Sequence, residues 1–197
     1  MKPITSVTLV TALSVAVAAC AALETPNKIS GATFTAGGEL ERPEGWREWV
    51  YIGTPLTPNA LNGGEAPFPE FHSVYIDPSS FEHWQQTGEF REGTMLAKEL
   101  ALVIADDAHA DGSTDQVSGR GYFMGELQGL EIALKDTARF PNEPGGWAYF
   151  SFGHQAEPYQ QTAAAFPTES CNACHEASAD QDWVFTQFYP VLRASSP

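Results

Sequence analysis

The sequence predicts an α+β fold, an antiparallel β-sheet with a few short helices. Short runs with alternating apolar residues recur, as in FHSVYI (71–76), TMLAKELALVI (94–104) and WAYFSFGH (147–154). Alternation at period two is the pattern of a strand with one face buried. Segments bearing Gly and Pro separate these runs. The helical stretches are too few and too short for a four-helix bundle.

The elements follow in order. Residues 22–45 read as a polar, Gly- and Pro-bearing leader with little periodicity. Residues 46–53 (WREWVYIG) suit a strand, or a short helix running into one. Residues 55–69 carry several Gly and Pro residues and read as loop. FHSVYI is a strand with His72, Val74 and Ile76 on one face. A helix then starts with Asp77 as N-cap and Pro78 in its first turn, and Gly88 is its stop. Residues 94–105 are a strand, 106–118 an acidic polar loop, and 119–133 a long or bent strand whose glycines allow bulges. Residues 147–154 form an aromatic-rich strand with Ala148, Phe150, Phe152 and His154 sharing a face. Residues 160–166 read as a short helix before Pro167, and 183–192 as helical until Pro190 intervenes.

Length and composition bound the function. A chain of 197 residues with 43% apolar residues can build one domain with a real core. The formal net charge of -15 argues against nucleic acid and anionic membrane surfaces, both of which recruit basic faces. It is compatible with a basic partner steered by charge. Residues 4–19 (ITSVTLVTALSVAVAA) follow Met1-Lys2 and carry no charge, which reads as an export signal over 1–20. The stretch Val17-Ala18-Ala19-Cys20 resembles a bacterial lipobox, and ordinary cleavage beside a small residue is the alternative. The mature chain is then periplasmic, either free or lipid-anchored through Cys20. It consists of a flexible leader over 21–45 and one domain over 46–197.

Two further cysteines stand near the C-terminus in Ser170-Cys171-Asn172-Ala173-Cys174-His175. C-x-x-C-H is the attachment signature of c-type haem. Two thiols add to the two vinyl groups of the porphyrin, and the adjacent imidazole reaches the iron as proximal ligand. A zinc site would need more ligands, and there is no second cysteine pair. A redox dithiol is expected near the start of a βαβ pattern rather than near a C-terminus. The expected cofactor is one haem c per chain, held by Cys171, Cys174 and His175.

Candidates for the other side of the iron are few. Met95 lies on the strand face opposite Lys98, whereas Met124 is an open alternative. His109 sits in the polar loop and His83 on a surface helix. Three strand faces each carry one odd polar residue: His72, Lys98 and His154. Lys98 shares its face with Leu96, Leu100, Leu102 and Ile104, while Glu99 points the other way. A lysine on such a face must snorkel, pair, lose its proton or react. Each histidine reads either as a satisfied core or edge group or as part of a haem chamber with Lys98.

The stretches WREWVYIGTPLTPNALNGGEAPFPEFHSVYIDP, FEHWQQTGEFREGTMLAKEL, GYFMGELQGLE, RFPNEPGGWAYFSF and CNACHEASADQDWVFTQFYPVLR together resemble the cytochrome P-460 family. They run in order from Trp46 to Arg193. The resemblance implies that Lys98 bonds through its side-chain nitrogen to a haem meso carbon. It also implies a five-coordinate iron with His175 as proximal ligand. The family's members are periplasmic homodimers that oxidise hydroxylamine to nitrous oxide, with nitric oxide as co-substrate. They pass electrons to a soluble acceptor such as another c-type cytochrome.

Nitric oxide and nitrite are the other products to expect. His72 is then the first choice for a distal base. A distal carboxylate is associated with activity in the segment before the haem motif. Here that segment reads AAAFPTES, with Phe166 in it and Glu169 as the nearest acid. Related beta-type cytochromes c′ generally lack the lysine and bind nitric oxide behind an aromatic cap, a role open here to Phe166 or Phe152. The alternatives to an enzyme are therefore a nitric oxide sensor or scavenger, and an electron carrier with Met124 or His154 as sixth ligand.

Overall fold

The computed structural model describes residues 31–197. The expected export signal with Cys20, and the first part of the leader, lie outside the described residues. The centre of the fold is a five-stranded antiparallel sheet. Its strands in spatial order are β2 (Val50–Gly53), β3 (Phe71–Ile76), β4 (Met95–Val103), β7 (Met124–Lys135) and β8 (Trp147–Ser151). Two small ribbons accompany it. One pairs β1 (Leu40–Glu41) with β9 (Thr162–Ala163), the other β5 (Thr114–Gln116) with β6 (Gly119–Gly121). The helices are α1 (Pro78–Thr87), α2 (Asn172–Ser178) and α3 (Pro190–Ser195). The architecture is the expected α+β.

The sheet separates two layers. On one face, Met95, Ala97, Leu130, Ile132, Leu134, Ala148 and Phe150 form a core with Leu40, Trp46, Trp49 and Tyr159. Inside that core Glu99 is almost fully buried. It accepts bonds from Arg47 Nε at 3.0 Å and Arg47 Nη2 at 2.5 Å, and from the Tyr159 hydroxyl at 3.3 Å. A carboxylate so deeply buried is tolerable only when paired and hydrogen-bonded. Burial, with Glu99 close by, pushes the Tyr159 phenol well above its ordinary range.

On the other face, Ile76, Leu96 and Tyr149 pack with Trp84 and Phe90 and with the C-terminal residues Val184, Tyr189 and Leu192. The Trp84 indole donates to the Leu192 carbonyl at 2.8 Å, tying α1 to α3. Asp77 caps α1 by accepting from the Ser80 amide at 3.0 Å, and its second oxygen accepts from the Met95 amide at 2.9 Å. One side chain thus starts the helix and fixes it to β4. Gly88 ends the helix in the left-handed region at φ 70°.

Several expectations change. Residues 31–45 are not a loose leader: β1 pairs with β9, and Leu40 is completely buried in the core. Residues 160–166 form no helix, because this stretch supplies β9 and a bridge from Ala165 to Phe150. Pro190 opens α3 instead of ending a helix, since the first turn does not need its missing N–H. Bulges after Leu100 and Ala101 break the register of β4 with β7, so Leu102 is exposed rather than on a continuous apolar face. β8 stops at Ser151, and Gly153 at φ 115° turns the chain before His154.

Leu40→Ala should therefore cost about 2–5 kcal/mol in urea unfolding, as for a buried core leucine. A change near zero would mean that the 31–41 segment is not part of the folded domain.

Candidate functional site

The site grows out of the sheet register. Val74 of β3 pairs with Lys98 of β4, and Lys98 pairs with Glu131 of β7. One step along, Ile76 pairs with Leu96, Leu96 with Ala133, and Ala133 with Tyr149 of β8. Side chains of directly opposed residues lie on the same face. The row of Val74, Lys98 and Glu131 therefore stands on the face that meets the C-terminal segment. Here the structure forms a cavity of about 500 Å³. His72, Lys98, Glu131, Tyr149, Cys171, Cys174 and His175 all line it, together with apolar and aromatic side chains.

The C-x-x-C-H segment is held to the fold at its N-terminal end. Glu143 accepts from the Thr168 hydroxyl at 2.9 Å and from the Asn172 amide at 2.6 Å. Asn172 also donates to the Trp147 carbonyl at 3.2 Å. Cys174 and His175 lie on the short helix α2. The thiols of Cys171 and Cys174 are free, and burial raises the Cys171 thiol above its ordinary pKa.

His175 is oriented from behind. Its Nδ1 lies 2.8 Å from the Trp183 carbonyl, which can only accept. Nδ1 therefore carries the hydrogen, and Nε2 is left with its lone pair, the state a metal ligand needs. Burial lowers the pKa of this imidazole and keeps it neutral. Its ring lies between Tyr149 and Phe185, with centroids at 4.5 Å and 4.6 Å.

The Trp183 carbonyl is itself placed by strain. Asp182 and Trp183 both adopt left-handed backbone, at φ 46° and 57°. Such residues persist only where their surroundings hold them. Lys135 Nζ does so, at 2.5 Å from Asp182 Oδ2. Gly145 leaves room for the Trp183 ring, since a Cβ there would sit 2.4 Å from it.

The second polar cluster is the ion pair of Lys98 Nζ and Glu131 Oε2, at 2.5 Å. Lys98 Nζ also lies 4.4 Å from the centroid of the Phe68 ring. His72 stands nearby on β3, edge-on to Phe68. Its Nε2 is buried and has no hydrogen-bond partner among the described residues. Burial first, and then the Lys98 charge, push its pKa down to about 4.

Cys171, Cys174, His175, Lys98 and His72 thus come together as the sequence suggested. His154 does not join them. It lies half-exposed beyond the end of β8, with Nε2 2.7 Å from the buried carboxylate of Glu70. Met95 is in the opposite core. Met124 is exposed at the start of β7 and does not line the cavity. Phe152 is buried in the core behind the sheet, whereas Phe166 lines the cavity. Glu169 is exposed and outside the lining.

The sequence reading missed Glu131. Its own strand face carries Gly129 and Ala133, and its apolar neighbours Leu130 and Ile132 face the core, so it reads as an ordinary outward charge. Glu131 is the one carboxylate among the described residues that line the cavity.

A family model described as Cytochrome P460 matches residues 43–186. The chain belongs to the cytochrome P460 family. None of the curated proteins matches it significantly. Membership implies a haem cofactor, and the site of this cytochrome P460 chain fits one. The cavity is large and mostly apolar, which suits a flat macrocycle. One neutral imidazole offers a free nitrogen beside two free thiols. The buried, unpartnered His72 Nε2 marks the same cavity as a place for a ligand. Among the described residues, no three His, Cys, Asp or Glu side chains cluster as a separate metal site.

Two predictions follow from this geometry. The unfolded His72 imidazole takes its proton near pH 6.5, the folded one only near 4. Between these values the unfolded state binds the proton, so stability falls as pH drops through that window. The term is worth about 2 kcal/mol between pH 7 and pH 5. Chemical unfolding should show the loss in the native chain and not in His72→Gln. Equal losses in both would place the imidazole in water. Removing the partner of Lys135 by Asp182→Ala should cost about 2 kcal/mol or more in the same assay. An unchanged midpoint would show that Asp182 does not hold the Trp183 turn.

Proposed function

We propose that this chain is a mono-haem c-type cytochrome that oxidises hydroxylamine. One observation supports it above the rest. His72, Lys98 and Glu131 converge on the same cavity as Cys171, Cys174 and His175, and among the described residues no methionine lines it. Cys171 and Cys174 would carry the thioether bonds, and His175 would be the ligand to iron. When bound, the haem supplies an iron that binds the substrate nitrogen and accepts its electrons.

The chain's own residues do the rest. The Trp183 carbonyl holds the His175 ring in one tautomer. The aromatic lining of Phe68, Phe166, Phe185 and Phe188 limits water at the reacting centre. Oxidation of hydroxylamine releases protons together with electrons, so a base within reach speeds it. Low intrinsic basicity leaves His72 unprotonated at neutral pH and ready to accept one. Lys98, bonded to the macrocycle, would lose its ammonium charge and with it much of the cost of its position on an apolar face. The proposed products are nitrous oxide, with nitric oxide and nitrite as the other nitrogen products.

The proposed setting is the periplasm, with a homodimer as the assembly and a soluble c-type cytochrome as electron acceptor. The acidic chain suits an acceptor with a basic docking face. A second reading, nitric oxide binding without turnover, is favoured by Phe68 and Phe166 on the cavity wall. It differs from the first in what happens to hydroxylamine.

Steady-state assays with an artificial electron acceptor separate the two. The haem-loaded protein should consume hydroxylamine, and His72→Ala should slow it about 100-fold without loss of haem. Binding of nitric oxide with no hydroxylamine consumption would favour the second reading. Equal rates in the native protein and His72→Ala would remove His72 from the mechanism.

A further inference from the structure

We propose that Glu131 is the positioning residue and proton acceptor that allows Lys98 to bond to the macrocycle. This rests on the reading above that the Lys98 nitrogen becomes bonded to a ring carbon. Lys98 Nζ and Glu131 Oε2 are 2.5 Å apart, on adjacent strands whose register opposes the two residues directly. Both side chains are about three-quarters buried, at 26% and 24% exposure. The register and the bulge-free stretch from Met95 to Leu100 fix both backbones. The carboxylate therefore holds a long, flexible side chain against one wall of the cavity instead of letting it reach solvent.

The chemistry needs more than placement. An ammonium has no lone pair and forms no bond to carbon until a proton leaves. The nitrogen must lose two protons before the bonded product, a secondary amine, is complete. The ring carbon loses its hydrogen, and the couple as a whole gives up two electrons. A peroxide balances the step: the ammonium, the C–H carbon and hydrogen peroxide yield the C–N bond, two waters and one proton. Peroxide is reduced by two electrons and its oxygens leave as water. The base that first frees the lone pair must touch Nζ, and in an apolar cavity it must belong to the protein.

Glu131 meets both conditions. His72 is the other proton acceptor, on neighbouring strand β3, but its Nε2 makes no hydrogen bond among the described residues, whereas Glu131 Oε2 touches Nζ. The Phe68 ring over Nζ offers no lone pair to a proton. Glu131 is also the one acid in the lining among the described residues. Once the bond forms, the carboxylate is released from an ammonium and retains an N–H to accept.

The test uses the haem-loaded protein with hydrogen peroxide as the oxidant. Native protein, Glu131→Gln and Glu131→Asp are treated and digested. Mass spectrometry then follows whether the Lys98 peptide travels with the haem peptide containing Cys171 and Cys174. The native protein should link fully. Gln keeps the size and a hydrogen-bond acceptor but is no base, and should link about 100-fold more slowly. Asp keeps the carboxylate and should restore linkage at least in part. A urea unfolding midpoint near the native value in each variant reports that it folds, and thioether attachment through Cys171 and Cys174 reports that each carries haem. Gln and native proteins linking at the same rate would overturn the role of Glu131 and leave the cross-link intact. A native protein whose Lys98 peptide always runs free would overturn the cross-link itself, and the inference with it. Failure of Asp while Gln links as fast as the native protein would assign the effect to side-chain length rather than basicity, and contradict the proposal.

Discussion

The strand register of β3, β4 and β7 is the constraint on which the site depends. Alternation in a strand is strict, so a slip of one residue sends every side chain to the other face. In the observed register Lys98 faces the cavity and Glu99 faces the core behind it. Each charge meets its partner on its own side: Glu131 for Lys98, Arg47 for Glu99. A slipped register would bury Lys98 among Met95, Ala97 and Ile132 and send Glu99 into the cavity. Both pairs would be lost, with several kcal/mol lost for each uncompensated buried charge. The apolar pattern and the charges thus select the same register.

The second half of the site is an arm laid over that face. α2, the left-handed turn at Asp182 and Trp183, and α3 cover the sheet where α1 has also been anchored through Trp84. Their common task is to present one imidazole in one tautomer. Hydrogen bonds from Asn172 and Thr168 to Glu143, and from Lys135 to Asp182, attach the arm at both sides of the motif. The sheet therefore carries Lys98, Glu131 and His72, and the arm carries the imidazole proposed as ligand to iron.

Much of this was legible in the sequence, for identifiable reasons. The C-x-x-C-H motif names its chemistry in consecutive residues. Lys98 and His72 announce themselves as polar residues on apolar strand faces. The cap at Asp77 and the stop at Gly88 are local signals, and both hold. What failed was decided at long range. Leu40 looks like part of a polar leader because its strand partner is 123 residues later, at Ala163. The 160–166 stretch reads as helix because nothing local shows that β1 and Phe150 claim it as strand. His154 lies outside the chamber because the face it was read to share, with Ala148, Phe150 and Phe152, turns to the core behind the sheet, and because β8 ends three residues sooner than the alternation suggests. Glu131 was not legible, because its own strand face carries Gly129 and Ala133 rather than an apolar row; its significance came only with the register that sets it opposite Lys98.

The cavity holds one imidazole, His175, beside the two thiols, and a second, His72, across from them; among the described residues no methionine stands on its wall. Glu131, His72 and Lys98 on that wall are what the proposed reading as a reaction centre, rather than an electron carrier, rests on. The most direct test is the electron paramagnetic resonance spectrum of the resting ferric protein, read with its optical spectrum. A high-spin, five-coordinate signal that changes when hydroxylamine is added is the predicted result. A low-spin, six-coordinate signal at rest would mean that a second side chain occupies the iron, and would contradict the account.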